Sequence, residues 1–164
     1  MADAVWVIDS SSLIAIKSLP HASRDNVFAR LSLLVGAGRL LFPREVLNEL
    51  KRDSTDKRAP DRPCQWALDV EAEACREAST FEEIRAVLEI VPDILDPMKE
   101  SGTDEADPYV LALAKRLRDD GVDARVVTEE TRNYLRKLSL NTACGMLGIP
   151  SVPLLGLVRA EGIS

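Results

Sequence analysis

An α/β layer fold with a mostly parallel sheet is the architecture this 164-residue chain predicts. Short apolar runs at Val5–Ile8, Arg39–Phe42, Arg125–Thr128 and Val152–Leu155 have the length of strands, and the first and third are rich in β-branched residues. Segments with helical spacing, rather than tight hairpin turns, separate them. Strands alternating with helices in this way favour a parallel sheet.

The first strand stops at Asp9, followed by Ser10, Ser11 and Ser12. In open parallel sheets ligands sit at the carboxyl ends of the strands, so Asp9 is expected on the floor of a crevice with hydroxyl donors beside it. Leu13, Ile14 and Ile16 fit a short helical turn before Pro20. Ser23 to Val35 reads as an amphipathic helix with Val27, Phe28, Leu31, Leu34 and Val35 on one face, stopped by Gly36 and Gly38. After the second strand, Pro43 suits the first turn of a helix that buries Val46, Leu47 and Leu50. Glu49 flanks this apolar arc, while Glu45 and Asn48 point further away.

Lys51 to Pro63 mixes basic and acidic residues with prolines and reads as an exposed, mobile loop. A helical excursion follows. Its first helix, Gln65 to Ala78, turns Trp66, Ala67, Val70 and Ala74 inward. Its second starts at a Ser79/Thr80 cap, with Glu82 and Glu83 in the first turn and Phe81, Ile84, Val87, Leu88 and Val91 at helical spacing. Asp93 to Thr103 reads as a loop, with Asp104 and Glu105 as loop charges. Asp107 is then expected to cap a helix beginning at Pro108, because a residue before proline is disfavoured in the α region. Val110, Leu113, Ala114 and Leu117 form its buried stripe, and Gly121 ends it. The third strand closes on Thr128–Glu129–Glu130. A short helix from Thr142 to Leu147 precedes the last strand.

A formal charge of −6 argues against a surface built for broad adhesion to nucleic acid or anionic membrane. A nucleic-acid substrate handled through bound metal stays compatible with it. Cys64, Cys75 and Cys144 are odd in number and form no Cys-x-x-Cys pair, which predicts reduced thiols. No basic-then-apolar signal pattern opens the sequence, and no apolar run approaches the roughly 20 residues that span a bilayer. The expectation is a soluble, cytoplasmic protein with no membrane partner.

Asp9, Asp107 and Glu129/Glu130 each lie at an element end, and Glu49 adds a fourth acid from a helix flank. Each has a plain structural role open to it. Asp9 and Asp107 could cap helices, Glu49 could lay its stem along the core, and Glu129 and Glu130 could answer a helix dipole. Against these roles stands coincidence, since distant parts of the chain supply acids at ends that an α/β sheet brings together. Gathered carboxylates cannot all stay ionised without a cation, and oxygen-only ligands suit Mg2+ or Mn2+ rather than Zn2+. His21 and the scattered cysteines offer no competing zinc set.

Val-Ile-Asp-Ser-Ser, Val-Leu-Asn-Glu-Leu-Lys, Ala-Asp-Pro-Tyr-Val-Leu-Ala-Leu-Ala and Val-Val-Thr-Glu-Glu occur in the order seen in PIN-domain proteins. The chain resembles that family from Val5 to about Leu155, with Asp53–Ser101 loosely covered. The chain length is that of one domain, and the resemblance implies a three-layer α/β/α fold and a Mg2+- or Mn2+-dependent nuclease site. It is greatest to compact bacterial ribonuclease toxins of the VapC type, which implies an RNA substrate, an antitoxin protein and a homodimer as partners. Asp9, Glu49 and Asp107 match the first three family acids. The fourth, usually Asp, falls on Glu130, with Glu129 beside it. Ser11 and Thr128 match hydroxyl positions that orient carboxylates or phosphate.

The chemistry so implied is metal-assisted, in-line attack of water on a phosphodiester. Asp9 and Asp107 are the expected direct ligands, and Glu49 and Glu130 bind metal through water or take a proton. Arg52, Lys57, Arg58 and Arg132 are the candidate contacts to the substrate strand. Two other readings compete. A phosphotransfer fold with a strand-end Asp nucleophile lacks the second Asp two residues on that haloacid-dehalogenase-like phosphatases carry. A catalytically weak PIN-like module acting through protein or RNA binding is kept open by Glu in place of Asp at position 130.

Overall fold

The computed structural model describes residues 3–54, 59–96 and 105–163. Four parallel strands, β1 (Val5–Ile8), β2 (Leu40–Leu41), β3 (Ala124–Val127) and β4 (Ser151–Val152), form one sheet in the order β2-β1-β3-β4. The helices are α1 (Ser10–Ala15), α2 (His21–Gly36), α3 (Arg44–Asp53), α4 (Arg62–Ala74), α5 (Phe81–Ile90), α6 (Asp107–Asp119), α7 (Leu140–Met146) and α8 (Leu154–Ala160). The architecture is the three-layer α/β/α arrangement, with every strand pair parallel and, among the described residues, four α-helices between β2 and β3.

β1 pairs with β2 through Trp6↔Leu40 and Val7↔Leu41, and with β3 from Val5↔Ala124 to Ile8↔Val127. The chain leaves β1 for a neighbour on one side and later returns on the other. That reversal opens a crevice at the carboxyl ends of β1 and β3, where parallel sheets bind ligands. Trp6, Val7, Ile8, Val126 and Val127 are buried, as expected of strands covered on both faces. α6 packs on β1 and β3 through the apolar stripe that contains Val110, Leu113 and Ala114.

Several boundaries depart from the sequence-based expectations. β2 is shorter than Arg39–Phe42 because the Phe42 N–H donates to the Ala74 carbonyl (3.2 Å) at the end of α4 rather than to the sheet. β4 ends at Val152, not Leu155. Pro153 has no N–H and starts α8, a helix the sequence reading does not contain. α4 stops at Ala74 rather than Ala78. Thr80 caps α5 as expected, in a capping box with Glu83, but Phe81 is 75% exposed and lies outside the buried face. Ala106 has helical dihedrals and Asp107 is the first helical residue of α6, so Asp107 caps nothing and its carboxylate is spent elsewhere. Glu105, expected as a loop charge, is buried and accepts the Asp96 N–H. The expected loop from Lys51 to Pro63 is narrower, since α3 runs to Asp53 and α4 begins at Arg62. Lys17 bridges Asp53 (3.2 Å) and Asp61 (3.1 Å) across its two ends. Residues 55–58 of that loop, with Lys57 and Arg58, lie outside the described residues, as does Asp104.

Candidate metal centre

Asp9 closes β1. Its N–H still donates to the Val127 carbonyl (2.9 Å), so its Cα is fixed by the sheet before α1 begins. It occupies the N-cap position of α1, yet its side chain caps no backbone N–H. Asp9 Oδ2 instead accepts from Ser11 Oγ (2.8 Å) and Thr128 Oγ1 (3.1 Å). Those hydroxyls are oriented in turn, because Ser11 Oγ accepts the Glu129 N–H and Thr128 Oγ1 accepts the Glu130 N–H, both at 3.0 Å. Asp9 Oδ1 is buried without a hydrogen-bond partner among the described residues, in a residue only 1% exposed.

Asp107 reaches the same point from the start of α6, and Glu130 from the segment after β3. One carboxylate oxygen from each of Asp9, Asp107 and Glu130 lies within 4.8 Å of the others. Glu49 stands beside them, its Oε1 accepting from Ser10 Oγ (2.8 Å) and its Oε2 from the Ala106 N–H (3.4 Å). It is outside the three-residue cluster, although its charge acts on both Asp9 and Glu130.

This crowding appears in the acidities. Burial, then the charges of Asp107 and Glu130, push the Asp9 carboxyl well above the usual range against the opposing Ser11 hydrogen bond. Burial and Asp107 raise Glu130 to about 7, with Lys137 and the Leu140 backbone pulling the other way. A desolvated acid whose second oxygen has no donor, beside two further acids, is a donor set that fits a hard divalent cation. Asp9, Asp107 and Glu130 are the residues that could hold it.

The other expected site residues divide. Ser11 and Thr128 flank Asp9. Glu129 turns away: its Oε1 accepts the Leu154 N–H (2.7 Å) and Ser12 Oγ (3.2 Å), answering the start of α8 rather than joining the acids. Arg52 is exposed in the last turn of α3. Arg132 is exposed and, with Glu130, Tyr134 and Lys137, lines a cleft of about 410 Å3 beside the cluster.

Lys137 is the residue sequence reasoning missed. Its Nζ donates to Asp107 Oδ2 (2.9 Å) and to the Leu138 carbonyl (3.1 Å). Burial alone would lower its pKa, but Asp107, then Glu130 and Glu105, outweigh burial and raise it. No spacing rule ties a lysine after β3 to an acid thirty positions earlier, and its setting in a polar run gives no signal.

The fold and the site together define a parallel α/β protein with a buried acidic centre at the carboxyl end of its sheet. The chain belongs to the family described as "Domain of unknown function (DUF4411)", which it matches over residues 6–164. No curated protein matches it. No helix among the described residues is long and apolar enough to cross a membrane.

Proposed function

We propose that this chain is a Mg2+- or Mn2+-dependent nuclease that hydrolyses phosphodiester bonds, with single-stranded RNA as its substrate. The observation that carries the reading is the unpartnered, buried Asp9 Oδ1 in the cluster with Asp107 and Glu130. The four segments that resemble PIN-domain proteins support the same reading and extend it to a cytoplasmic toxin held by an antitoxin. When bound, such an ion polarises a phosphoryl oxygen and lowers the pKa of water.

The chain's own residues account for the rest. Ser11 and Thr128 hold Asp9 through Oδ2 and leave Oδ1 for the ion. Asp107 and Glu130 complete the acidic set, and Glu130, raised to about 7 by burial and Asp107 in the metal-free protein, would give up its proton as the ion binds. Arg132, which lines the adjoining cleft, is the cation assigned in this reading to a phosphate of the substrate strand.

Incubation with generic single-stranded RNA in Mg2+ or Mn2+, against EDTA and Asp9→Asn, tests this. Cleavage is expected only with the metal and the intact acid, and cleavage that survives both controls overturns the reading. Growth arrest on expression, relieved by Asp9→Asn, tests the toxin role. The second reading is a module with little activity that works by binding protein or RNA. Lys137 on Asp107 favours it, because a resident cation already covers part of the acid charge. A rise in Tm with Mn2+ favours the nuclease, and its absence favours the module.

A further inference from the structure

We infer that Lys137 is a resident counter-ion of the acidic centre, holding Asp107 in the metal-free protein and opposing entry of a divalent ion. The inference rests on the metal-site reading above.

Its geometry is that of a built contact rather than a surface arm. The Lys137 side chain is 19% exposed and that of Asp107 9%, and the pair closes at 2.9 Å. The backbone delivers the lysine there. Tyr134 and Lys137 exchange N–H···O bonds of 2.8 and 3.0 Å, closing a turn in which Arg136 takes φ 61°, a left-handed conformation uncommon outside glycine. On the far side, the Leu138 N–H donates to the Asp93 carbonyl (2.7 Å) and the Ser139 N–H to Asn133 Oδ1 (2.8 Å). The turn is therefore fastened at both ends around the residue that meets the acid.

An ammonium and a divalent ion directed at one carboxylate repel each other across a few ångströms, more strongly in a desolvated crevice than in water. Loading the centre must therefore loosen the hold of Lys137 on Asp107. Removing its charge has two opposite consequences. The metal-free protein loses a counter-ion to crowded acids, and the same acids bind a divalent cation more tightly.

Calorimetric titration with Mn2+ of the wild type, Lys137→Met, Lys137→Gln and Lys137→Arg, with Tm in EDTA for each, tests this. The glutamine variant keeps a donor for Asp107 and the Leu138 carbonyl, so it removes charge while the turn stays tied. Both neutral variants are expected to bind Mn2+ about tenfold more tightly and to melt lower without metal, while Lys137→Arg stays within about threefold of wild type. Unchanged or weaker Mn2+ binding by the neutral variants, with binding intact in the wild type, overturns the inference and leaves the metal site standing. Absence of Mn2+ binding in all four proteins overturns both.

Discussion

Each end of β1 carries an acid of low exposure, and the two are served in opposite ways. At the amino end, Glu161, just after α8, accepts both arms of the Arg39 guanidinium (3.1 and 2.5 Å) and the Trp6 indole N–H (2.8 Å). Burial works to raise its pKa, but Arg39 and Trp6 outweigh burial and hold it below the usual range. At the carboxyl end, Asp9 keeps one oxygen satisfied by hydroxyls and the other unpartnered, and its pKa is driven up. One strand thus separates an acid whose hydrogen bonds and counter-charge lie within the chain from one whose are incomplete. The first acts as structure. The second is the kind of site where stability yields to a ligand.

The sharpest way to break this contrast is to unpair Glu161. Arg39→Ala leaves a half-buried carboxylate with the Trp6 indole N–H and only the more distant charge of Arg30, and urea denaturation should show a loss of about 3 kcal/mol. An effect of similar size follows from Glu130. Its folded-state pKa of about 7 lies above its ordinary value of 4.5, so the folded protein retains a proton that the unfolded chain releases. In EDTA, stability should fall by about 3 kcal/mol as pH rises from about 4.5 to about 7 and level off above, a slope that Glu130→Gln should flatten. Asp9→Asn should go the other way from Arg39→Ala. With one buried charge removed from the cluster, the metal-free protein at pH 8 should gain about 1 kcal/mol in the same assay. Loss of stability in Asp9→Asn would show that the two ends of β1 obey one rule. The smallest effect separates Glu129 from its neighbour. Glu129→Ala removes the partner of the Leu154 N–H at the start of α8 and should cost about 0.5–1 kcal/mol, with Mn2+ affinity unchanged by calorimetry.

Much of the centre was legible because strand ends are legible. An apolar run followed by Asp, and a second followed by Thr-Glu-Glu, mark the edge of a parallel sheet, and the sheet brings Asp9, Thr128 and Glu130 to one place. Asp107 was legible as an acid at a helix start, though not as one that caps nothing. Its freedom from capping depends on Asp107 itself entering the helix directly ahead of Pro108, against the local preference. Glu129 and Glu130 are one residue apart and chemically alike, and their division of labour depends on α8. Pro153 hid that helix behind what reads as a strand.

Sequence by itself determined the period of each segment, the parallel class of the sheet and the positions where acids end elements, since these follow from local spacing and side-chain chemistry. The tertiary structure decided which acids share a volume, which oxygen is left without a donor and which cation answers them. Those depend on contacts over long separations, Ser11 and Thr128 on Asp9, Ser10 on Glu49 and Lys137 on Asp107, and on desolvation that exists only once the layers have closed over the crevice.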